Sequence, residues 1–306
     1  MIRFSNSHEL TFACASGALA FDGRGWPWEF PFRWLGLLDP KAFTVVAKTI
    51  TVDPIVGNLS LLHPWTCVAL LGEKDNNGKN QLGATNAVGL TNPGALHWVT
   101  KCYPRAKRKG YKIAASVMAN SVREAEILAD ELRPLDLAYV EWNPSCPNVD
   151  HPHIPLVGIA AALSHCGHPL VAKLAKNQVE ERFVKSIDPF VEAWHAINTI
   201  PWDDLYPNDK SPIEKYRHKK KGGVSGMQIH AEALRCVGLL KTMTLKPIIG
   251  GGGIFSLKDV NDFESSGVSA FSIGTCFMYY PWYPNKIVKE HKEMKLLQRW
   301  SFPTIG

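Results

Sequence analysis

Residues 247–275 read PIIGGGGIFSLKDVNDFESSGVSAFSIGT, and this stretch decides the fold class. Its two ends, at 247–249 and 270–273, are short apolar runs of the kind found in strands that are covered on both faces. Between them, Ser256 followed three residues later by Asp259 is typical of the start of a helix. The stretch therefore predicts a strand, a helix and a second strand, which is the repeating unit of parallel α/β folds.

The same alternation extends through most of the chain. Further apolar runs that predict strands lie at 43–50, 112–118, 137–142, 169–175 and 194–200. The helical patterns between them include one that opens at Ser121, with Glu124 completing a capping box, and one over 231–240. We expect a single α/β domain over residues 1–306, folded as a (β/α)8 TIM barrel rather than as an open sheet.

Two segments do not fit this alternation. Residues 61–85 include the polar tract 73–81, and residues 201–221 are rich in proline, aspartate and lysine. Loops of this length in a compact domain tend to be functional lids or additional hairpins. We expect both segments to form extra loops or short strands at the carboxyl-terminal face of the barrel.

The overall composition is that of a globular protein. The chain has 306 residues, of which 45% are hydrophobic and 20% charged, and its mean hydropathy is −0.10. Disordered and collagen-like chains are excluded by these values. Apolar runs fall short of the ~18–20 residues of a membrane span, and residues 1–10 lack a secretory pattern. We therefore expect a soluble, cytoplasmic protein without a membrane partner.

The charge and the cysteines exclude further classes. A net charge of +6 is small, and the basic runs at 105–109 and 217–221 are typical of solvated loop ends, so we expect no nucleic-acid partner. The cysteine count is odd and no C-x-x-C pair is present, which predicts neither disulfides nor a metal site. The seven cysteines are Cys14, Cys67, Cys102, Cys146, Cys166, Cys236 and Cys276.

Functional groups in a barrel lie where strands end. The predicted strand ends carry lysine, asparagine, cysteine and glycine at 48–49, 143–148, 173, 198–199, 250–253 and 274–275. No carboxylate lies among them. A glycosidase, which needs two carboxylates, and a metallohydrolase, which needs a His/Asp cluster, are both poorly supported.

The glycines at the last two strand ends predict a phosphate site. Residues 250–253 are four glycines between a strand and a helix, and Gly274 and Thr275 follow the next strand. Barrels often bind a phosphate with the loops after their seventh and eighth strands, because glycine backbone can approach an anion closely. We expect a phosphate-bearing ligand there.

Cys146 is the most distinctive candidate for chemistry. It lies between Ser145 and Pro147 and is flanked by Asn143 and Asn148, on a loop that follows a predicted strand. Most lone cysteines are small buried hydrophobes. The polar surroundings of this one favour a reactive role.

These pieces, taken in order, resemble the dihydroorotate dehydrogenase family. The resemblance rests on nine motifs spread over most of the chain. They are ASG at 15–17, KT at 48–49 leading to GN at 57–58, NAVGLTN at 86–92, NPSCPN at 143–148, KL at 173–174, NT at 198–199, GGVSG at 222–226, GGGGI at 250–254 and SIGT at 272–275. Cysteine, where membrane-associated members carry serine, resembles the soluble class.

The resemblance implies an FMN-dependent oxidoreductase that oxidises (S)-dihydroorotate to orotate in de novo pyrimidine synthesis. Cys146 would be the catalytic base, and Lys48 would lie between flavin and substrate as a second catalytic residue. The implied substrate-binding residues are Lys48, Asn86, Val88, Gly89, Leu90, Asn143, Asn148, Asn198 and Thr199. The implied FMN-binding residues are Ala15, Ser16, Gly17, Lys48, Thr49, Asn143, Lys173, Asn198, Gly226, Gly252, Gly253, Gly274 and Thr275.

The residue types suit those roles. Asparagine amides offer both donors and acceptors to an imide ring without burying a charge. A lysine near flavin N1, where the resemblance puts Lys173, would stabilise the negative charge of the reduced ring. A thiol with an ordinary pKa of ~8.5 is a usable base near neutral pH when water is excluded.

Three alternatives stay open at this point. One is a flavin barrel that acts on another dihydropyrimidine, and a second is a tRNA dihydrouridine synthase, although no RNA-binding appendage is visible. The third is a barrel that binds FMN without catalysis. The resemblance further implies a homodimer, with a separate electron-transfer subunit as one possibility among several electron acceptors, which include fumarate, a quinone and NAD.

Overall fold

The computed structural model describes residues 1–74, 78, 80–144, 155–216, 218 and 220–301, without the side chains of 299–301. Eight parallel strands form a closed barrel in which each strand pairs with the next along the chain. They are β1 (Phe12–Cys14), β2 (Thr44–Val46), β3 (Lys112–Val117), β4 (Val140–Trp142), β5 (Leu170–Leu174), β6 (Ala193–Ala196), β7 (Ile248–Gly251) and β8 (Ala270–Ile273). The predicted (β/α)8 TIM barrel is confirmed.

Helices lie between the strands and follow the last of them. They are Phe30–Trp34, Ala95–His97, Tyr103–Arg108, Val122–Leu132, Leu156–Ser164, Glu181–Ile187, Trp202–Leu205, His230–Met243, Leu257–Ser265, Cys276–Tyr279 and Tyr283–Ser301. Both predicted serine caps are present, since Ser121 Oγ accepts from the Glu124 N–H and Ser256 Oγ accepts from the Asp259 N–H. In the described part of the chain, no helix has the length and apolar character needed to cross a membrane.

Two smaller sheets close the ends of the barrel. A hairpin of Ile2–Arg3 and Glu9–Leu10 precedes β1. A four-stranded antiparallel sheet contains Ile200–Pro201, Gly223–Gly226, Asn80–Asn86 and Val68–Lys74, in that order. The segment 61–85 thus supplies most of an added hairpin, which was one of the two structures expected for it.

One strand prediction needs correction. The apolar run at 194–200 is not one strand, because β6 ends at Ala196 and Ile200 begins the antiparallel sheet instead. The chain turns between them at residues 197–199, where it leaves the barrel wall. A run of apolar residues alone does not reveal that turn, because both halves are buried.

The interior of the barrel has two levels. Side chains two residues apart along a strand point to the same face, so each strand contributes a lower and an upper inward residue. The lower residues form one apolar cluster with Ile2, Phe4 and Leu10 of the N-terminal hairpin. It contains Ala13, Val46, Ala114, Ala138, Tyr139, Val171, Ala193, Ile249 and Ala270. The functional residues lie above it, towards the carboxyl ends of the strands.

Candidate active site

A cavity of about 540 Å³ opens at the carboxyl ends of the barrel strands. Its size falls within the ~300–1,000 Å³ that is typical of sites for small molecules and cofactors. All of the sequence-predicted site residues that the structure describes line it. They are Ala15, Ser16, Gly17, Lys48, Thr49, Asn86, Val88, Gly89, Leu90, Asn143, Lys173, Asn198, Thr199, Gly226, Gly252, Gly253, Gly274 and Thr275. Cys146 and Asn148 lie outside the described residues.

A chain of hydrogen bonds crosses the floor of this cavity. Asn198 Nδ2 donates to Asn143 Oδ1 at 2.9 Å, and Asn143 Nδ2 donates to Thr49 Oγ1 at 3.3 Å. Thr49 Oγ1 lies 3.1 Å from Ser16 Oγ and 3.0 Å from Ser116 Oγ. These contacts fix the orientation of the Asn143 amide. Each amide group can make more than one hydrogen bond, so Asn143 retains capacity for a ligand.

The antiparallel sheet forms one wall of the cavity. Asn86 ends its strand Asn80–Asn86, and its Nδ2 lies 3.5 Å from the carbonyl of Gly223 on the neighbouring strand. After Asn86 the chain turns sharply through Gly89 and Leu90, whose φ angles are 66° and 56°. The turn brings backbone rather than long side chains to the cavity.

Lys48 follows β2 and lies over Gly17. Its Cγ is 3.2 Å from the point that a Cβ on Gly17 would occupy, and Gly17 has a φ of 81°. Glycine is required there because a side chain would be strained and would press on the lysine. Lys48 Nζ lies 5.8 Å from the centre of the Phe21 ring.

A buried group of charged residues lies below the amides. Glu141 on β4 is 0% exposed, and its Oε2 lies 2.7 Å from Nδ1 of His195 on β6. Lys173 on β5 is 7% exposed, lines the cavity, and pairs in register with His195. Among the described residues, no hydrogen bond or ion pair holds the Lys173 ammonium. Its charge is therefore available to a ligand in the cavity.

The electrostatics of this group favour an ionised Glu141. Burial alone would raise the pKa of its carboxyl, but the charge of Lys173 and hydrogen bonds from His195 and Ser116 lower it to about 2. Burial lowers the pKa of His195, and Lys173 lowers it further. The pair is therefore a carboxylate beside a neutral imidazole at neutral pH.

The late glycines shape the other end of the cavity. Gly252 and Gly253 have φ angles of 122° and 81°, which L side chains rarely adopt. A Cβ on Gly226 would lie 2.4 Å from the Cα of Gly83 across the sheet. Thr275 Oγ1 donates to Ser225 Oγ at 2.8 Å. A Cβ on Gly253 would lie 2.9 Å from the Gly226 carbonyl oxygen, so the residues that follow both late strands lie beside the strand Gly223–Gly226, where their backbone can form a phosphate cradle.

Sequence comparison decides which barrel family this is. The family model described as dihydroorotate dehydrogenase matches residues 77–294, well over half of the chain. The chain belongs to the dihydroorotate dehydrogenase family. The family resemblance stated from the motifs is confirmed, and so is the assignment of the chain to an oxidoreductase family.

Curated members of the dihydroorotate dehydrogenase family resemble the chain over most of its length. A protein of Oceanobacillus iheyensis is 28% identical over 235 residues, covering 73% of this chain and 75% of its own. One of Desulforudis audaxviator is 27% identical over 248 residues, with 78% and 75% covered. One of Parabacteroides distasonis is 31% identical over 209 residues, with 63% and 66% covered. Each is named "Dihydroorotate dehydrogenase B (NAD(+)), catalytic subunit".

The cavity suits the FMN that the family resemblance implies. An elongated ligand with a phosphate and a ring that becomes negatively charged needs a phosphate cradle and a cation at separate points. The late glycines supply the first, and the buried Lys173 ammonium supplies the second. The residues present therefore fit the cofactor.

Several residues that line the cavity were not predicted as site residues from the sequence. His195 and Ser272 line the floor, and Trp26 and Glu29 line a wall. Glu29 is 1% exposed, its Oε2 accepts from the Trp26 N–H at 2.6 Å, and burial raises its pKa to about 7. The two-residue periodicity of β6 and β8 could have identified His195 and Ser272. No pattern in the sequence indicates Trp26 and Glu29.

Proposed function

We propose that this chain oxidises (S)-dihydroorotate to orotate in pyrimidine biosynthesis, using bound FMN and Cys146 as the catalytic base. One observation carries the proposal. In a chain of the dihydroorotate dehydrogenase family, two lysines, three asparagines and the late glycines all line one cavity at the carboxyl ends of the strands. FMN, when bound, supplies the acceptor for the hydride that leaves carbon six of the substrate.

The asparagines bind and orient the substrate in this proposal. Asn143 and Asn198 are held by their mutual hydrogen bond, so their remaining donor and acceptor positions have fixed directions. Asn86 lines the same cavity from the antiparallel sheet, and the family resemblance adds Asn148 to the set. Lys48 contributes a positive charge for the substrate carboxylate. Pre-oriented amides bind a planar imide with a small entropic cost.

Lys173 would lie beside the ring of bound FMN, where its ammonium would offset the negative charge of the reduced ring. A cation that is 7% exposed acts in a medium of low dielectric constant, where a charge interaction is several times stronger than in water. Glu141, which lies behind Lys173, keeps the net charge of the site close to neutral before the reaction.

Cys146 removes the proton from carbon five. Asn143 lies three residues before it, a separation that spans at most about 11 Å of extended chain. The base is therefore tethered to the same strand end as the substrate amides. The proton that the thiolate accepts passes to solvent, and the hydride from carbon six completes the two-electron oxidation.

The test is a visible spectrum followed by an anaerobic titration. We expect the purified protein to be yellow and to bleach on addition of dihydroorotate, but not with dihydrouracil or NADH. If dihydrouracil bleached the protein and dihydroorotate did not, the substrate would be another dihydropyrimidine. A colourless protein that takes up no FMN would overturn the proposal altogether, and a salt-dependent shift of tRNA in a gel would favour an RNA substrate.

Cys146→Ala tests the assignment of the base. We expect a yellow protein whose flavin is reduced by dihydroorotate about 10²–10⁴-fold more slowly in stopped-flow traces, the usual contribution of a general base. The matched control is Cys236→Ala, since Cys236 is buried in the helix His230–Met243 away from the cavity. Equal reduction rates in the two variants would exclude Cys146 as the base.

The assembly is part of the same proposal. The relatives are named catalytic subunits of an NAD(+) enzyme, and we infer for this chain a cytoplasmic homodimer that passes electrons to a separate subunit. Residues 1–306 would form one folding unit. Size-exclusion chromatography with light scattering tests the dimer, and a single unfolding transition tests the unit. To test the electron path, NADH formation is measured with and without the partner subunit, and we expect NADH only when the partner is present.

A further inference from the structure

Apart from the effect of Glu141 on the net charge of the site, the Glu141–His195 pair has no role in the function proposed so far. Both residues are almost fully buried, at 0% and 2% exposure. Among the residues that the structure describes, only one carboxylate oxygen is used, because Glu141 Oε1 has no hydrogen-bond partner there. A buried carboxylate is costly to remove from water, so the presence of Glu141 and its histidine partner below a cavity calls for a functional explanation.

The pair determines which nitrogen of His195 carries the proton. An ionised carboxylate can only accept, so His195 Nδ1 must donate across the 2.7 Å contact. The charges that face the ring come from Glu141 on β4 and Lys173 on β5, and the second of these opposes protonation of the imidazole. The remaining nitrogen, Nε2, therefore presents a lone pair and acts as an acceptor.

The acceptor nitrogen faces the cavity. Nε2 lies 3.2 Å from the point that a Cβ on Gly251 would occupy, and that point is 3.0 Å from Ser272 Cβ. Ser272 Oγ is buried and has no hydrogen-bond partner among the described residues. Within the described part of the chain, no hydrogen bond of Nε2 is present either. His195, Gly251 and Ser272 all line the cavity.

We propose that His195 Nε2 accepts a hydrogen bond from a hydroxyl of the ribityl chain of FMN, with Ser272 Oγ beside it and Glu141 as a positioning residue. This inference rests on the proposed function, since it requires FMN. It assigns a binding role to a residue that none of the nine motifs contains.

The position along the barrel selects the ribityl chain over the ring. Gly251 is the last residue of β7 and directly precedes the cradle glycines Gly252 and Gly253. The ribityl chain connects the phosphate to the ring, so it must leave the cradle beside β6 and β8. Its hydroxyls are donors, which an acceptor nitrogen requires, whereas phosphate oxygens are not.

The test compares two ligands in one variant. Lumiflavin carries the flavin ring without the ribityl chain. Glu141→Leu combined with His195→Phe replaces the buried pair by apolar side chains, a change that buried pairs often tolerate. We expect the ratio of the FMN to the lumiflavin dissociation constant to rise about threefold to tenfold, the usual worth of one hydrogen bond. A change in the charge around Lys173 would affect the dissociation constants of both flavins, so it cancels in their ratio.

The control is His291→Phe, which removes a buried histidine outside the cavity. An unchanged ratio in the double variant would overturn the inference. An equal loss of affinity for both ligands, which also leaves the ratio unchanged, would mean that the contact is to the ring. Wild-type protein that binds neither flavin would instead refute the proposed function.

Nitrogen NMR of the ligand-free protein gives a second readout that a purely structural role would not affect. We expect the His195 ring at pH 7 to be neutral with its proton on Nδ1, and its Nε2 resonance to shift when FMN binds but not when lumiflavin binds. In Glu141→Gln we expect part of the population to carry the proton on Nε2. A charged ring in wild type, or a proton on Nε2, would contradict the inference.

Discussion

The lower and upper levels of the barrel interior share one backbone geometry and have opposite chemistry. On β5, β6 and β8 the lower residues are Val171, Ala193 and Ala270, all fully buried. Two residues further along each strand, the upper residues are Lys173, His195 and Ser272, which line the cavity. A shift of two residues therefore separates the part that holds the fold together from the part that binds ligand.

This division explains how the barrel can carry buried charges. The lower level is apolar and is sealed by the N-terminal hairpin, where the Phe4 ring lies 5.4 Å from the Tyr139 ring. Burial there supplies stabilisation of about 25 cal/mol for each Å² of apolar surface removed from water. The upper level contributes little of that kind, and it contains Glu141, Lys173 and His195 instead.

The largest expected effect comes from placing a lysine in the apolar lower level of the barrel interior. Val171→Lys places an ammonium among apolar side chains, where documented buried lysines have pKa values lowered by several units. We expect the free energy of unfolding to fall by about 4–7 kcal/mol, measured by guanidinium denaturation, because each pKa unit corresponds to about 1.4 kcal/mol.

The matched variant at the upper level is Lys173→Met. Lys173 has no hydrogen bond or ion pair among the residues that the structure describes, but its charge lowers the pKa of the buried Glu141, so its removal should cost about 1–3 kcal/mol of stability, less than Val171→Lys. FMN affinity should fall instead. Equal destabilisation by the two variants would mean that the levels do not differ as described.

Glu29 gives a pH-dependent effect of intermediate size. Its pKa in the folded chain is about 7, against 4.5 for the free side chain. The folded state therefore binds more protons between these values, and stability falls as pH rises through 4.5 to 7. Above pH 7 the cost is about 3 kcal/mol. Between pH 5 and pH 8, we expect the free energy of unfolding of Glu29→Gln to rise relative to that of wild type by most of this amount.

Glu141 provides an internal comparison for that measurement. Its pKa in the folded chain is lowered to about 2, so the stability that it contributes is present above pH 4.5 and is lost only as pH falls towards 2. The contribution of Glu141 to stability is therefore constant between pH 5 and pH 8.

The control variant for Glu29→Gln is Glu126→Gln, which changes an exposed carboxylate. Parallel pH profiles for wild type and Glu29→Gln would exclude a raised pKa at Glu29.

The division into levels also explains what the sequence could reveal. Strands β2 to β8 were predicted because their apolar runs are bounded by turns or helix caps. β1 was missed because Phe12–Cys14 is only three residues long and lacks such boundaries. The segment 61–85 could be assigned only as a loop or a hairpin, because the short apolar run 68–71 leads into the polar tract 73–81 and the second strand, Asn80–Asn86, carries no apolar run.

The candidate site divides in the same way. The strand-end residues were predicted from motifs, because ligand-facing loops carry distinctive residue types. Glu141 and His195 were missed although both lie inside predicted strands, since a polar residue within an apolar run gives no sign of its partner. The two are 54 positions apart in the chain. Only the strand register, with β5 between β4 and β6, brings them together.

The smallest expected effect concerns the single hydroxyl in the apolar lower level. Tyr139 Oη is buried and has no hydrogen-bond partner in the described ranges of the chain, and burying an unpaired hydroxyl costs about 1–3 kcal/mol. Tyr139→Phe removes this atom and keeps the ring contact with Phe4. We therefore expect a gain of about 1 kcal/mol in the free energy of unfolding by guanidinium denaturation.

Tyr103→Phe should act in the opposite direction. Tyr103 Oη accepts from the Asp136 N–H at 2.7 Å, so its removal loses a hydrogen bond and should cost about 1 kcal/mol. If Tyr139→Phe destabilised the protein as much as Tyr103→Phe, the Tyr139 hydroxyl would have to be satisfied in solution. The lower level would then be partly polar, and the boundary between the apolar and the polar level would lie one residue further along the chain, at the start of β4.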